Sequence, residues 1–272
     1  MKHIWLIADD YGITKPVNGA IRDLIANNRI NGTSVMVGAP GFDGEEARLL
    51  LEAAAGSHAA IGLHFTLTAP FKPLSNDYGP TQNGKFLSLP RTMFGSVLGH
   101  LERMMIAEEV QAQIATFKSA FGRAPGYIDG HQHVQLFAPV SDALLYVMKQ
   151  EAPDAWVRQC GRIENATYGD RKAWLLDFLS KRFRRKAAKL GIRTNAAFAG
   201  TYDFNDDAEF ATLFPKFLNG LPEGGLVMCH PGFVDETLES LDPLTTQREA
   251  EHAYLASDRF PALLAANKVT LG

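Results

Sequence analysis

The 272-residue sequence predicts an α/β fold, a distorted, TIM-like (β/α) barrel of seven or eight mostly parallel strands. Three observations carry this expectation. Eight short apolar runs alternate with amphipathic stretches of helical spacing. Runs such as IWLIA and GLVMC are apolar at successive residues, as parallel strands covered on both faces should be. The length also matches the roughly 250 residues typical of one such barrel, so residues 1–272 are read as a single domain. A doubly wound sheet is the alternative topology.

The first strand is expected at His3–Ala8 and the first helix at Pro16–Asn28, with Thr14 suited to cap it and Pro16 to open it. A strand at Ser34–Gly38 and a helix at Asp43–Ala55, ended near Gly56, come next, followed by a strand at Ala60–Leu67. Residues Ala69–Gly99 then break the rhythm. They are rich in Pro, Gly and aromatics and too long for an ordinary connection, so they read as an insertion or lid loop. Phe71, Tyr78, Phe86 and Phe94 within it either stack on a sugar ring or form a satellite core. Helices at Ala107–Phe121 and Pro139–Gln150 flank a strand at Gly126–Asp129. A strand at Ala155–Gln159 precedes a helix at Arg171–Leu190, whose KRFRRKAAK segment (Lys181 to Lys189) reads as a solvated helix face. Strands at Thr194–Ala199 and Gly225–Cys229 enclose a helix at Asp207–Leu218, with rim loops at Tyr202–Asp207 and Phe233–Leu244. A helix at Thr246–Ala256 and a weak last strand at Lys268–Leu271 close the chain.

Bulk properties exclude several function classes. The net charge of −3 is dispersed, which gives no support for a nucleic-acid or membrane-surface partner. The opening MKHIWLIADD lacks the apolar length of a secretory signal, and no run is long enough for a bilayer. Cys160 and Cys229 form no metal or disulfide motif and sit in apolar runs, so packing is their expected role. The cytoplasm is the expected compartment.

The chemistry gathers at strand ends. Asp9 and Asp10 end the first strand, His64 the third, Asp129 and His131 the fourth, Arg158 the fifth and His230 the seventh. In a (β/α) barrel these ends share one mouth, where catalytic groups converge. Adjacent aspartates repel. A divalent metal compensates one of them and leaves the other as a base. Consecutive strand residues diverge, so Tyr11–Gly12 must supply a turn if both are to face the mouth. In His131-Gln-His133 both imidazoles share a face if the chain stays extended, a spacing able to chelate one ion. Asp129 is placed to orient a ligand from behind. His230, turned out by Pro231–Gly232 and without a local metal partner, suits proton donation better than ligation.

ADDYG with Val17–Asn18–Gly19, TSVMV, IGLHFTLT, GYIDGHQHV and MCHPGF together resemble the ordered motifs of the YdjC-like carbohydrate deacetylases. The resemblance covers nearly the whole chain. It implies a barrel related to NodB-type polysaccharide deacetylases, frequent homodimers, a small carbohydrate substrate, and a bound divalent metal, magnesium first and zinc or another transition metal second. It implies metal ligation by Asp10, His64 and His131 and Asp9 as base, and it matches His230 and Arg158 to family segments; the residues themselves add His230 as acid and Asp129, His133, Phe71 and Tyr78 as supporting or substrate contacts. Two residues depart from the family pattern: Gly130 stands where a serine is usual, and Gln135 where an outer histidine is usual. A different metal hydrolase, either an amidohydrolase or a phosphoesterase, and a non-catalytic sugar-binding module on the same fold are the alternatives. The first strand's Asp-Asp, in place of His-x-His, speaks against an amidohydrolase.

Overall fold

A computed structural model describes residues 1–163, 171–202 and 209–271. Among these, seven parallel strands form one curled sheet in the spatial order β5-β4-β3-β2-β1-β7-β6. They are β1 (Trp5–Tyr11), β2 (Gly32–Val35), β3 (Ala60–Phe65), β4 (Tyr127–Gly130), β5 (Trp156–Val157), β6 (Phe198–Ala199) and β7 (Leu226–Cys229). The outer strands approach each other through irregular backbone pairing. Val157 N–H donates to the Arg193 carbonyl at 2.9 Å, and Phe198 N–H to the Gly161 carbonyl at 2.9 Å. The sheet is therefore a seven-stranded, distorted barrel. The eighth expected strand does not join it: Val269–Thr270 pairs in parallel with Lys2–His3 as a separate two-stranded sheet. The Lys2–His3 pairing also delays the start of the first core strand to Trp5.

The helices are α1 (Lys15–Ala26), α2 (Gly44–Ala54), α3 (Leu89–Val97), α4 (Arg103–Phe121), α5 (Val140–Glu151), α6 (Arg171–Lys189), α7 (Phe210–Leu218), α8 (Glu236–Leu241), α9 (Thr246–Ala256) and α10 (Arg259–Ala266). Local chemistry explains several ends. Thr14 caps α1, with Pro16 in its first turn, and the Asp43 side chain accepts from Glu46 N–H at 2.9 Å to start α2. On α6, Leu176, Ser180, Phe183 and Ala187 form the buried stripe, while Lys181, Arg182, Arg184 and Arg185 are exposed, as a solvated basic face requires. Among the described residues no helix is long and apolar enough to cross a membrane.

The segment after β3 is built rather than loose. Thr81–Gln82 and Lys85–Phe86 form a hairpin, turned by Asn83 and Gly84, both in the left-handed region. Buried Glu109 on α4 accepts from Leu74 N–H and Ser75 N–H at 3.0 and 2.8 Å. Gln113, one turn later, bonds both backbone groups of Thr66. The residues leaving the mouth are thereby tied to α4.

Candidate metal and catalytic site

Both aspartates face the mouth because β1 is irregular at its end. The register between β1 and β2 slips between Ala8 and Tyr11, and Asp10 takes a left-handed conformation with φ of 67°. In a regular strand the two carboxylates would point to opposite faces; the slip and the left-handed residue bring them together. The turn thus begins at Asp10, one residue before the expected Tyr11. Gly12 follows with φ of 102°, and a Cβ there would lie 2.8 Å from the Met36 carbonyl oxygen. Asn18 braces this turn, accepting from Gly12 N–H at 2.5 Å and donating to the Gly41 carbonyl and to Glu46 Oε2.

Asp10, His64 and His131 converge. Asp10 Oδ1 lies 3.2 Å from His64 Nε2 and 3.1 Å from His131 Nδ1, and all three residues are buried. Register explains the support behind them. His64 on β3 is paired with Asp129 on β4, and its Nδ1 lies 2.6 Å from Asp129 Oδ1. A proton donated there leaves Nε2 as the free lone pair aimed at the cluster. Phe71 meets the His131 ring edge-on at 5.6 Å.

A second group, Asp9, His64 and Asp129, is equally compact, but its oxygens are engaged. Arg158 is wholly buried. Its guanidinium reaches Asp9 with two bonds of 2.6 Å and approaches Asp129 Oδ2 at 2.6 Å. Ser34 donates to Asp9 Oδ1 at 3.1 Å. A cation placed there would face the guanidinium, so the Asp10 group is the better ion site. Burial would raise the Asp9 carboxyl, but Arg158, His64 and His230 together hold its pKa down at about 2. Asp10 is likewise held low, with Arg248, His131 and His64 outweighing burial. Burial opposes a charge on His64, yet Asp129, Asp9 and Asp10 push it up to about 10.

His133 does not join the Asp10, His64 and His131 group. The strand ends at Gly130, and Gln132 and His133 take φ of 55° and 60° in a short 3-10 turn, so the extended spacing is lost. His133 packs instead against Phe198, with its Nδ1 3.5 Å from Cys160 Sγ. The aromatics of the 69–99 segment divide. Phe71, Tyr78 and Phe86 are buried, with Tyr78 and Phe86 edge-on at 5.2 Å, whereas Phe94 is exposed. Burial removes Tyr78 as an open stacking face; its ring belongs to the satellite core. The two departures at Gly130 and Gln135 are one packing unit, since a Cβ on Gly130 would lie 2.6 Å from Gln135 Oε1.

His230 follows β7 at the rim. Burial depresses its pKa to about 4 despite Asp10 and Asp9 nearby, so the imidazole is uncharged at neutral pH. Two residues that sequence reasoning missed lie on α9. Glu251 accepts from His230 N–H at 2.5 Å and from Tyr202 O–H at 2.5 Å. Arg248 donates to Asp10 Oδ2 at 2.7 Å. The signal was their spacing. Gln247, Arg248, Glu251, Tyr254 and Leu255 form the buried face of α9, so these charges share a stripe with apolar residues. Of the expected rim loops, residues 203–207 lie outside the described residues, and Phe233–Leu244 contains α8, capped by Asp235.

Comparison with known proteins places the chain by family and by fold. The family model described as YdjC-like protein matches residues 3–266. A chitooligosaccharide deacetylase of Klebsiella pneumoniae is 29% identical over 241 residues, covering 85% of this chain and 82% of that protein. A carbohydrate deacetylase of Oceanobacillus iheyensis is 26% identical over 260 residues, covering 93% and 96%. Among solved structures, an Enterococcus faecalis protein provisionally described as acting in cellobiose-phosphate cleavage has a TM-score of 0.77 at 22% identity, over 100% of this chain and 97% of that one. A lactam utilization protein of Thermus thermophilus gives 0.55 at 15%, over 100% and 99%. At these identities the structures speak for the fold alone. The family match leaves out only the extreme ends of the sequence, and on it the chain belongs to the YdjC-like protein family.

Proposed function

We propose that the protein hydrolyses the acetamide of an N-acetylated amino sugar, a chitooligosaccharide or related glycan, using a divalent ion held by Asp10, His64 and His131. The observation that carries the reading is the buried Asp-His-His group beside a separate, arginine-clamped aspartate. Its substrate class rests on the similarity to two proteins named as deacetylases.

The residues fit such an ion. Donor separations of 3.1 and 3.2 Å suit ligands about 2.1 Å from a common centre. One carboxylate and two imidazoles leave positions open for water and substrate. Imidazole donors favour zinc or another transition ion, whereas magnesium, the ion implied by family resemblance, prefers oxygen. When bound, the ion supplies a Lewis acid for the acetyl carbonyl and lowers the pKa of a water.

The chain's own groups manage the protons. Asp9, kept ionised and oriented by Arg158, takes the proton of the attacking water. His230 delivers a proton to the departing nitrogen. Being uncharged at rest, it collects that proton during turnover, and Asp9 is close enough to influence its ionisation. Tyr202, Glu251 and the backbone of His230 form the bonded frame that sets the imidazole.

The test is an acetate-release assay on N-acetylglucosamine, diacetylchitobiose and longer chitooligosaccharides, with zinc, manganese or magnesium restored to chelator-treated protein. Acetate release by the wild type and none by Asp9→Asn, with ion content unchanged, is expected. Silence over the whole panel from ion-loaded protein would reject the substrate class. Activity in Asp9→Asn would reject the base.

A further inference from the structure

We propose that Arg248 selects the bound ion by holding Asp10 to a single donor oxygen, an inference that rests on the ion site proposed above. The Asp10 carboxylate is divided between two neighbours. Its Oδ1 faces His64 and His131, while its Oδ2 receives the Arg248 guanidinium at 2.7 Å. Rotation that would turn both oxygens toward the histidines must break this pair.

Arg248 is itself held from several sides. It is wholly buried. Its Nε donates to the Leu244 carbonyl at 2.9 Å, and Asp242 Oδ2 lies 3.5 Å from its Nη2. Gly232, on the rim after His230, donates its N–H to the Arg248 carbonyl at 3.1 Å. A Cβ on Gly232 would crowd the Arg248 side chain at 3.3 Å. The guanidinium is therefore a fixed wall of the site rather than a mobile surface charge.

The consequence is chemical. Large oxygen-seeking ions such as calcium take bidentate carboxylates and many oxygens. A small ion bound by two imidazoles needs one carboxylate oxygen and tetrahedral directions. With Oδ2 engaged, Asp10 offers one oxygen, which suits the second class and disfavours the first. Arg248 is a positioning residue in this role, acting through Asp10. Its charge also weakens binding of every divalent ion by simple repulsion, and alike for ions of the same charge. The ratio of affinities, rather than either affinity, therefore reports the oxygen count.

The experiment measures zinc and calcium binding to chelator-treated wild type, Arg248→Met, Arg248→Lys and His131→Ala by equilibrium dialysis, with circular dichroism as the folding check. The wild type should prefer zinc, and His131→Ala should lose that preference. Arg248→Met should lower the zinc-to-calcium affinity ratio by about tenfold or more, the range set by loss of a group that orients a ligand. Arg248→Lys keeps the charge but ends short of the Nη2 position, so it should lower the ratio as well, and it serves alone if the methionine variant does not fold. An unchanged ratio in the folded variants, with wild-type zinc binding intact, overturns the role of Arg248 and leaves the ion site standing. A wild type that binds neither ion, or a His131→Ala variant that binds zinc as the wild type does, overturns the ion site and this proposal with it.

Discussion

Glu251→Gln separates a buried proton from the hydrogen bonds around it. In the native protein burial raises the Glu251 carboxyl from 4.5 to about 7, although Tyr202 and the His230 N–H both favour its charge. A carboxyl raised on folding binds its proton more tightly in the native state than in the unfolded one. Its stabilising contribution is complete below pH 4.5 and is lost as pH rises to about 7. That interval corresponds to about 3 kcal/mol of lost stability. Glutamine does not titrate, but its NH2 replaces one of the two accepting oxygens and faces a donor there, which costs about 1 kcal/mol. The wild type should therefore be the more stable protein at pH 4 and the variant the more stable one at pH 8, with the curves crossing between. Urea midpoints measured in steps over that range, at fixed ion content, read this directly. Parallel curves with a constant offset would refute the buried-proton argument. They would mean that Glu251 titrates in the native state as it does in the unfolded one and that its bonds alone matter.

Two further substitutions probe the rest of the mouth. Arg158→Met should cost about 3–5 kcal/mol in urea denaturation, because it leaves the Asp9 and Asp129 carboxylates buried without their shared cation. A loss below about 1 kcal/mol would mean that solvent reaches Asp9 readily. Gly130→Ser should destabilise by about 1–3 kcal/mol through crowding against Gln135. Adding Gln135→Ala should recover much of that loss, and strictly additive effects in the double-mutant cycle would show that the two positions are independent.

The sequence made the barrel and most of the site legible because both follow from strand ends. An apolar run that stops on an acid or an imidazole marks a strand and its mouth in one signal, and Asp9, Asp10, His64, Asp129, Arg158 and His230 all carry it. What stayed hidden depends on departures from regular backbone or on packing. His131 and His133 read as partners only while the chain is taken as extended, and the left-handed conformations at Gln132 and His133 undo that reading. The joint placement of Asp9 and Asp10 needs a register slip that alternation cannot forecast. Arg248 and Glu251 lie in TQREAEHAYLA, where charges on an amphipathic helix read as solvated; only the turn of α9 against the mouth buries them. The last strand failed for a simpler reason. Two residues cannot extend a sheet whose edge they do not reach, and Val269–Thr270 found Lys2–His3 instead.

The arrangement of buried charge explains why two histidines in one mouth behave oppositely. Asp9, Asp10 and Asp129 face Arg158 and Arg248, so three carboxylates meet two guanidiniums and one negative charge is left over before His64 is counted. Isolated buried charges are costly, and this near-balance makes the cluster tolerable. The residual negative charge is not spread evenly. His64 sits where Asp129, Asp9 and Asp10 outweigh burial, and its affinity for positive charge rises. At His230 burial outweighs Asp10 and Asp9, with Arg248 adding to it, and the ring is left neutral. The first environment attracts a cation, as the proposed ion site requires. The second keeps an imidazole uncharged until a proton is released beside it. The balance of burial against nearby carboxylates, more than the identity of the histidines, sets these two imidazoles apart.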